Sequence, residues 1–595
     1  MPGNRTIPRL WRDAVAKNTG TAYLVEGDGR WQEVSWADAA ERVELLANGL
    51  LARGIGQGDA FGLLARNTVE WALFDFALAH VGAVGAAIYA NSSPRDVHYV
   101  LEHSESVGVL CEDEAQRAKV EEGQETLPAL RHVLTYADLP ALEEEGRAFR
   151  EAHPDALDEA VAAIDEEDLF TFIYTSGTTG PPKGCMIRHR NYYAMVRSGD
   201  ELPQRNGPGD VMLLYLPLAH NFGRLMHLAG PYQGYTIAFV ADPLDVARAI
   251  TEVRPTVLPS VPRVYEKVHT AITASFAETT GVKRRLVDWA LDVGRRESAL
   301  RREGRPLPRS LALQHRIADR LVYSKVRDRL GGRLRLPISG GAPLSKEIAE
   351  LFDALGIRIV EGYGLTECTT AATTNRIDNY RFGTVGQALP GFELRLADDG
   401  ELLVRSETVF AGYYKEPEAT AAVLTDDGWL RTGDIATIDE DGFVTITDRK
   451  KDIIVTAGGK NIAPQNLEND LKTSRFVSQA LVVGDGRPYP AALITLDPVE
   501  LGKWAQEQGL DADPSVLTET PQVRELVTGI VDDVNRDRSR YEQIKRFAIL
   551  ERDFDMERGE VTPTLKLRRR VVLEHFADEV EDLYDGAVPA SPDRR

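Results

Sequence analysis

The sequence predicts a multidomain α/β protein that ends in a smaller α+β domain. The chain has 595 residues, and because a single hydrophobic core rarely serves more than about 250–300 residues, several packed units are expected. Helical patterns alternate with short apolar runs over most of the chain, which is typical of a parallel sheet covered by helices. The composition changes near Asp448, where we place a boundary between domains 1–447 and 448–595.

The first part of the chain shows the clearest alternation of helices and strands. Trp71–Ala90 is almost entirely apolar, but it contains Asp75, and a central Asp costs roughly 2.5–3.5 kcal/mol on insertion into a membrane. We therefore predict a buried helix followed by a buried strand, and no transmembrane span. The predicted helices are Trp36–Arg53 and Val69–His80, and the predicted strands are Ala60–Leu64, Ala83–Ile88 and Val107–Leu110.

The later elements follow from local composition. Glu, Asp and Ala dominate Leu142–Asp168, which predicts a solvated helix and linker. A long basic helical region runs from about Arg263 to Leu330, and its charges alternate with apolar positions, so we expect the charges to face water. Asp-Gly turns after Gly391 indicate hairpins. Further strands are predicted at Leu169–Tyr174, Glu393–Leu396, Glu401–Arg405, Thr432–Ile438, Phe443–Thr447, Ala480–Val483 and Ala491–Leu496, with helices around Val523–Arg540.

The charge balance argues against several partners. Lys and Arg total 70 against 92 for Asp and Glu, and the net charge of −22 disfavours binding to nucleic acid or to an anionic surface. We expect no nucleic-acid partner, while a peripheral membrane contact through a local basic patch stays open, as does the oligomeric state. Cys111, Cys185 and Cys368 are odd in number and lack CxxC spacing, which predicts a reducing, cytoplasmic setting.

The strongest chemical signal is the segment Tyr174–Gly184, in which a buried strand opens into a loop rich in Gly and hydroxyl residues. Small residues let backbone N–H groups approach phosphate oxygens, hydroxyls add donors, and Lys183 adds a positive charge. The spacing fits neither the Walker pattern nor the G-x-S-x-G hydrolase elbow. A polyphosphate ligand is therefore predicted for Thr175, Ser176, Gly177, Thr178, Thr179 and Lys183.

This segment resembles that of the adenylate-forming superfamily, which includes acyl-CoA synthetases, luciferases and peptide-synthetase adenylation domains. Further motifs of the superfamily follow in the same order along most of the chain: Tyr215–His220, Ser339–Pro343, Glu361–Glu367, Trp429–Asp434, Asp448–Asp452 and Thr562–Lys566. The resemblance implies a large N-terminal domain of two α/β/α subdomains plus a distorted β-barrel. It also implies a small mobile α+β C-terminal domain.

The resemblance assigns roles to individual residues. ATP and AMP would contact the loop named above and Gly341, Ala342, Pro343, Glu361, Gly362, Tyr363, Gly364, Asp434 and Arg449. Thr366 would contact the α-phosphate, Glu367 would bind Mg²⁺, and Lys566 would act in adenylation. His220 would line the acyl pocket and Lys451 would be the hinge, while Gly458, Gly459 and Lys460 would approach CoA.

The insertion through Arg263–Lys267 and Leu321–Leu334 resembles the long-chain fatty acyl-CoA synthetase branch. The implied reaction joins a fatty acid to CoA through an acyl-adenylate, with ATP, Mg²⁺ and CoA. The alternatives are an acyl-AMP ligase that passes the acyl group to a carrier protein, a peptide-synthetase adenylation domain, and a CoA ligase for another carboxylic acid. A non-enzymatic fatty-acid or nucleotide-binding protein would not need the complete set of ATP, magnesium and lysine positions.

Overall fold

The helices lie between and around several sheets. The computed structural model describes residues 5–27, 29–175, 181–510, 517–536, 538–556, 558–562 and 567–585. No helix among these residues is long and apolar enough to cross a membrane. The helices are α1 Ile7–Lys17, α2 Trp36–Ala52, α3 Val69–His80, α4 Pro94–His103, α5 Glu114–Glu121, α6 Leu139–Ala152, α7 Ala156–Ala163, α8 His189–Ser198, α9 Asn221–Gln233, α10 Val246–Val253, α11 Pro262–Ala277, α12 Gly281–Arg302, α13 Arg309–Ala318, α14 Ser324–Arg329, α15 Lys346–Ala354, α16 Pro417–Val423, α17 Pro464–Leu471, α18 Pro498–Glu507, α19 Pro521–Asn535, α20 Arg569–His575 and α21 Ala577–Asp582.

The strands form two large sheets and three smaller ones within the described ranges. They are β1 Thr21–Gly27, β2 Arg30–Ser35, β3 Ala60–Leu64, β4 Val84–Ile88, β5 Gly108–Cys111, β6 His132–Thr135, β7 Leu169–Thr175, β8 Lys183–Arg188, β9 Val211–Leu214, β10 Thr236–Phe239, β11 Val257–Ser260, β12 Leu336–Ser339, β13 Val360–Tyr363, β14 Thr373–Thr374, β15 Gln387–Ala388, β16 Glu393–Leu396, β17 Glu401–Arg405, β18 Leu430–Ile438, β19 Val444–Arg449, β20 Ile454–Val455, β21 Asn461–Ile462, β22 Val477–Val483, β23 Ala491–Leu496 and β24 Arg546–Ile549.

The two large sheets are parallel at their centres. One has the order β6-β5-β3-β4-β7-β8, with only β8 antiparallel. The other has the order β15-β14-β13-β12-β11-β9-β10-β1-β2, with antiparallel strands at both edges. Parallel strands need long crossovers, and helices supply them here. This arrangement confirms the predicted α/β class.

The apolar runs of the sequence become strands that are buried on both faces. In β3, Leu63 packs into the core shared with the second large sheet, while its neighbour Leu64 packs into a separate core on the other face. Both side chains are fully buried. Helices on both sides of a parallel sheet require such continuous apolar strands, which explains why the predictions for β3, β4 and α3 are confirmed.

Two expectations differ from the structure. The acidic segment forms α6 and α7, and α6 lies so close to α2 that a Cβ added at Gly146 would meet the carbonyl oxygen of Leu45 at 1.9 Å. Its acidic face is exposed, but Leu139 and Leu142 are buried, so the helix is amphipathic and packed. The implied distorted barrel is, in the described residues, a sheet of order β16-β17-β18-β19 that does not close.

The C-terminal part has its own core. Buried side chains of the N-terminal part extend to Val444, and a separate group begins at Ile454 and includes Leu467, Ala480 and Ile494. Strands β22 and β23 pair antiparallel, and β24 adds parallel to β23. These elements confirm the predicted smaller α+β domain in architecture.

A buried ion pair fixes α9 against the first large sheet. Arg224 of α9 donates to Asp75 of α3 and to Oγ1 of Thr171 at 2.5 Å, and its guanidinium lies over the Phe170 ring at 4.6 Å. Arg224 and Asp75 are both 0% exposed. Burial raises the pKa of Asp75 to about 6, although Arg224 opposes the shift. The pair thus positions α9, which also lines the site described below.

We predict that Arg224→Met lowers the free energy of unfolding by about 3–5 kcal/mol, because it leaves the Asp75 carboxylate buried without its charge partner. Urea unfolding followed by tryptophan fluorescence measures the loss. Arg9→Met is the control, since Arg9 and Asp13 form an exposed pair worth about 0–1 kcal/mol. Equal losses in the two variants would contradict the role given to the buried pair. The double variant Arg224→Met/Asp75→Leu should recover much of the stability, because it removes the unpaired carboxylate as well.

Candidate functional site

A cleft of about 2380 Å³ is lined by residues from both the N-terminal and the C-terminal parts of the chain. It lies at the carboxyl ends of the parallel strands β12 and β13, where the chain turns out of the sheet. Ligands of open α/β sheets bind at this edge. The strand ends therefore bring together the predicted motifs that follow β12 and β13.

Two glycines shape this edge. Gly341, in the turn after β12, has φ of +81°, a conformation that other residues rarely adopt. At Gly364 an added Cβ would lie 1.9 Å from the carbonyl oxygen of Thr370, so only Gly fits. Thr369 and Thr370 themselves have φ of 55° and 96°. Such strained non-glycine residues persist where surrounding structure holds them and often mark functional loops.

The strained loop carries Glu367, which lies in a chain of polar contacts. The Tyr413 hydroxyl donates to Glu367 Oε1 at 2.6 Å, and Lys183 Nζ lies 5.0 Å from the centre of the Tyr413 ring. Lys183 also lies 3.6 Å from Glu416 Oε2. Sequence reasoning missed Tyr413 and Glu416, and the only signal for them was their place in the polar segment Tyr413–Glu416 after β17.

A second cluster is centred on Asp434. The Tyr363 hydroxyl donates to Asp434 Oδ2 at 2.5 Å, and Arg449 Nε lies 3.3 Å from Oδ1. The register of β18 and β19 pairs Asp434 with Arg449 directly. Burial alone would lower the pKa of Arg449, but Asp434, Tyr363 and Glu367 outweigh it and raise the pKa. The guanidinium therefore stays charged beside a carboxylate that can accept further hydrogen bonds.

Helix α9 contributes an apolar wall to the same cleft. His220 is its N-cap, and Nδ1 of the ring accepts a hydrogen bond from the backbone N–H of Phe222 at 3.1 Å. The lining beyond it includes Met195, Leu225, Met226, Ala229 and Tyr235. Tyr265, which belongs to the insertion at Arg263–Lys267, does not line the cleft. Tyr265 is buried in the core, and its hydroxyl donates to the carbonyl oxygens of Leu258 and Ile338.

The structure brings most of the predicted site residues to this one cleft. Ser176, Gly177, Thr178, Thr179 and Lys566 lie outside the described residues, although Thr175, Thr562 and Leu567 beside them line the cleft. The predicted residues found in the lining are Thr175, Lys183, His220, Gly341, Ala342, Pro343, Gly362, Tyr363, Gly364, Thr366, Glu367, Asp434, Arg449 and Lys451.

Four predicted residues lie elsewhere. Glu361 is outside the lining, and its carboxyl accepts a backbone hydrogen bond from Leu344, while burial raises its pKa to about 8. Gly458, Gly459 and Lys460 belong to the turn between β20 and β21, also outside the cleft. Lys460 there lies 5.8 Å from the centre of the Tyr541 ring.

The donor set suits a magnesium ion that shares its coordination with a substrate. In the part of the chain that is described, no three His, Cys, Asp or Glu side chains are grouped so as to hold a metal ion. Glu367 provides one carboxylate in the cleft, and Mg²⁺ usually binds one or two carboxylates together with phosphate oxygens and waters. Glu367 therefore fits a Mg²⁺ ion next to a polyphosphate.

Comparison with known proteins identifies the family. The family model described as AMP-binding enzyme matches residues 11–414, and that described as AMP-binding enzyme C-terminal domain matches residues 451–588. Long-chain-fatty-acid--CoA ligase FadD15 of Mycobacterium bovis is 40% identical over 571 residues, which cover 94% of this chain and 93% of that protein. Peroxisomal long chain acyl-CoA synthetase 7 of Arabidopsis thaliana is 31% identical over 98% of this chain and 86% of that protein.

A solved structure shares the fold. The adenylation domain of a carboxylate reductase from Mycobacterium chelonae has a TM-score of 0.76 and 23% identity, covering 98% of this chain and 92% of that one. Both parts of the chain match the family and its fold. The chain therefore belongs to the AMP-binding enzyme family.

Proposed function

We propose that the protein activates a long-chain fatty acid with ATP and transfers the acyl group to CoA. The observation that carries this proposal is one cleft that joins the charged groups around Glu367 and Asp434 to the apolar wall of α9. A fatty acid needs both the charged groups and the apolar wall, because its carboxylate must contact the nucleotide while its hydrocarbon chain is buried away from water. The names of the relatives, a long-chain-fatty-acid--CoA ligase and a long chain acyl-CoA synthetase, support this choice of acid and acceptor.

The first step makes an acyl-adenylate. A carboxylate is a poor acyl donor, since its leaving group would be oxide. One of its oxygens therefore attacks the α-phosphorus of ATP, the bond to the β-phosphate oxygen breaks, and pyrophosphate leaves. Both reactants are anions, so positioning and charge stabilisation supply the catalysis. Glu367 would hold a Mg²⁺ ion, which would offset the negative charge of the polyphosphate.

Each residue of the cleft has its own role in this step. Lys183 faces the polyphosphate, Thr366 contacts the α-phosphate, and Asp434 accepts hydrogen bonds from the ribose hydroxyls. Tyr363 stacks on adenine while its hydroxyl holds Asp434. Lys566 stabilises the reacting oxygens, which fits the presence of Thr562 and Leu567 in the cleft lining.

The second step transfers the acyl group. The sulfur of CoA attacks the acyl carbonyl, the thiol proton passes to solvent, and AMP leaves. We propose that domain 448–595 rotates about Lys451 between the two steps, a hinge motion that withdraws Lys566 and brings Gly458–Lys460 towards CoA. We also propose a reducing, cytoplasmic setting, in which the buried thiols of Cys111, Cys185 and Cys368 stay free.

We assign the present arrangement of the domains to the adenylation step. Arg263, in the first turn of α11, donates to the carbonyl oxygen and to Oγ of Ser478 in the small domain at 2.9 and 3.0 Å. Lys472 lies 3.8 Å from Glu266 one turn further along α11. These contacts join the two domains. In the same arrangement Thr562 and Leu567, which lie on either side of Lys566 in the sequence, line the cleft, and this supports the assignment to adenylation.

The proposal is tested with purified protein, ATP, Mg²⁺, CoA and a panel of carboxylic acids, following AMP and thioester. We expect long-chain acids to give both products, with AMP release dependent on the acid. Turnover of an aromatic acid but of no acid beyond medium length would exclude the long-chain substrate. Acyl-AMP formation without a thioester would exclude CoA as acceptor.

We predict that Lys566→Ala abolishes ATP–pyrophosphate exchange, because the charge that stabilises the reacting oxygens is lost. Thioester formation from supplied acyl-AMP should remain largely intact. Both rates are measured on the same preparation, with Lys503→Ala as the control for loss of a lysine at an exposed position of the small domain. Equal loss of both steps in Lys566→Ala would refute this division of roles.

We predict that Arg263→Ala slows adenylation about 5- to 30-fold, since the lost hydrogen bonds are worth about 1–2 kcal/mol in the domain arrangement of that step. The rate of thioester formation from acyl-AMP should be unchanged. Lys267→Ala is the matched control, because Lys267 is exposed on the same helix. An equal slowing of both steps would show that Arg263 does not act through the domain arrangement.

A further inference from the structure

Helix α13 exposes a row of aliphatic side chains. Leu313, Ile317 and Leu321 are 60%, 44% and 39% exposed, and Leu307, just before the helix, is 40% exposed. The helix continues through a π-helical segment, Asp319–Tyr323, into α14. Residues four apart lie on one face of a helix, so the three side chains form one stripe, which we call the α13 stripe.

The α13 stripe is not the face that packs on the protein. Leu311, Ala318, Val322 and Val326 lie on the inner side of the same helical segment and are buried. A helix in a globular protein normally has one apolar stripe facing the core, with polar residues opposite. This helix has a second apolar stripe that faces water, and contiguous exposed apolar surface marks an interaction site.

Basic side chains lie beside the α13 stripe. Arg309, Arg316 and Arg320 lie four residues before, three after and seven after Leu313, which places them on the same face. All three are exposed. Within the described parts of the chain none of them has a carboxylate within ion-pair distance, nor has Lys325. Many other arginines of the protein are paired, so these charges are available to a partner.

The charge of this region is opposite to that of the protein. Residues 305–329 contain seven Lys or Arg and two Asp or Glu, a net charge of +5, while the whole chain has a net charge of −22. The acidic remainder would be repelled by an anionic surface and the α13 region attracted to it. The charge distribution therefore orients the molecule with this helix towards such a surface.

We propose that the α13 stripe and its flanking arginines dock the protein on an anionic lipid membrane, with α13 lying in the plane of the interface. Aliphatic side chains on one side of a helix flanked by Lys and Arg are the pattern of interfacial helices, in which the apolar groups enter the acyl boundary and the cations meet lipid phosphates. The segment does not cross the membrane.

Other partners fit the surface less well. Nucleic acid is bound by cations that contact phosphates and, for single strands, by aromatic side chains on which bases stack. Neither mode uses an exposed row of Leu and Ile such as the α13 stripe. Protein interfaces are anchored by buried Trp, Tyr and Arg at their centre, whereas here the arginines lie beside exposed Leu and Ile. The membrane contact is also independent of the reaction in the cleft, because neither the stripe nor its arginines belong to the cleft lining.

The test is co-sedimentation of the full chain with vesicles of phosphatidylcholine alone and of an equal mixture of phosphatidylcholine and phosphatidylglycerol. We expect binding to the mixed vesicles, weakened by high salt. Arg309→Gln/Arg316→Gln/Arg320→Gln should weaken it on the order of a hundredfold. Leu313→Ser/Ile317→Ser/Leu321→Ser keeps the charges and should weaken it at least about tenfold.

Matched controls use exposed residues on other surfaces. Leu244→Ser removes a side chain that is 86% exposed, and Lys17→Gln/Arg30→Gln/Arg540→Gln removes three exposed cations. Both should bind as the unaltered protein does, and all variants should keep its melting temperature and its turnover in a vesicle-free assay.

Three results would overturn the proposal. The first is that the unaltered protein fails to bind the mixed vesicles. The second is that the controls lose as much binding as the α13 variants. The third is that the serine variant changes only the association state measured by light scattering. The last result would make the stripe an interface between proteins. Loss of turnover in every variant and control alike would count against the proposed reaction, whereas the membrane contact is judged by vesicle binding alone.

Discussion

The hydrogen bond from Tyr363 to Asp434, with Arg449 on the other carboxylate oxygen, is the contact on which the rest of the site depends. Tyr363 ends β13 of the nine-stranded sheet, and Asp434 and Arg449 belong to the four-stranded sheet. A hydrogen bond to a charged group is worth about 1.5–3 kcal/mol. This hydrogen bond joins two sheets that are far apart in sequence. Arg449, which contacts the same carboxylate, is the last residue of β19, and after it the chain continues into the C-terminal domain.

The charged group around Glu367, on the other side of the cleft, is also held in place by neighbouring side chains. Glu367 is fixed by the Tyr413 hydroxyl, and Lys183 lies over the ring of that tyrosine. The left-handed conformations of Thr369 and Thr370 hold the loop that carries Glu367. Opposite charges are thus placed in advance around the space where two anions meet in the proposed reaction, so that this reaction would need little reorganisation. Helix α9, fixed by its buried ion pair, adds the apolar side.

Much of this could be predicted from the sequence, and the remainder depended on long-range packing. The runs that became β3 and β4 are apolar throughout, and α3 is apolar apart from Glu70, Asp75 and His80. Burial on both faces leaves such segments little choice of structure. The ordered motifs led to Asp434 and Glu367. Tyr413 was missed because its contact with Glu367 joins residues 46 positions apart, and the contact of Arg263 with Ser478 spans 215. The exposed α13 stripe was missed because helical periodicity does not tell which of two apolar faces is covered.

The most direct test of this account is the affinity for ATP of the unaltered protein and of Asp434→Asn, measured by isothermal titration calorimetry. The amide keeps the size of the side chain but loses the charge that holds Arg449 and that, in the proposed function, accepts hydrogen bonds from the ribose hydroxyls. The account predicts binding weaker by about tenfold or more in a variant that is still folded, with a smaller effect for Tyr363→Phe. Equal affinity of a folded Asp434→Asn variant and the unaltered protein would contradict the central place of Asp434 in the cleft.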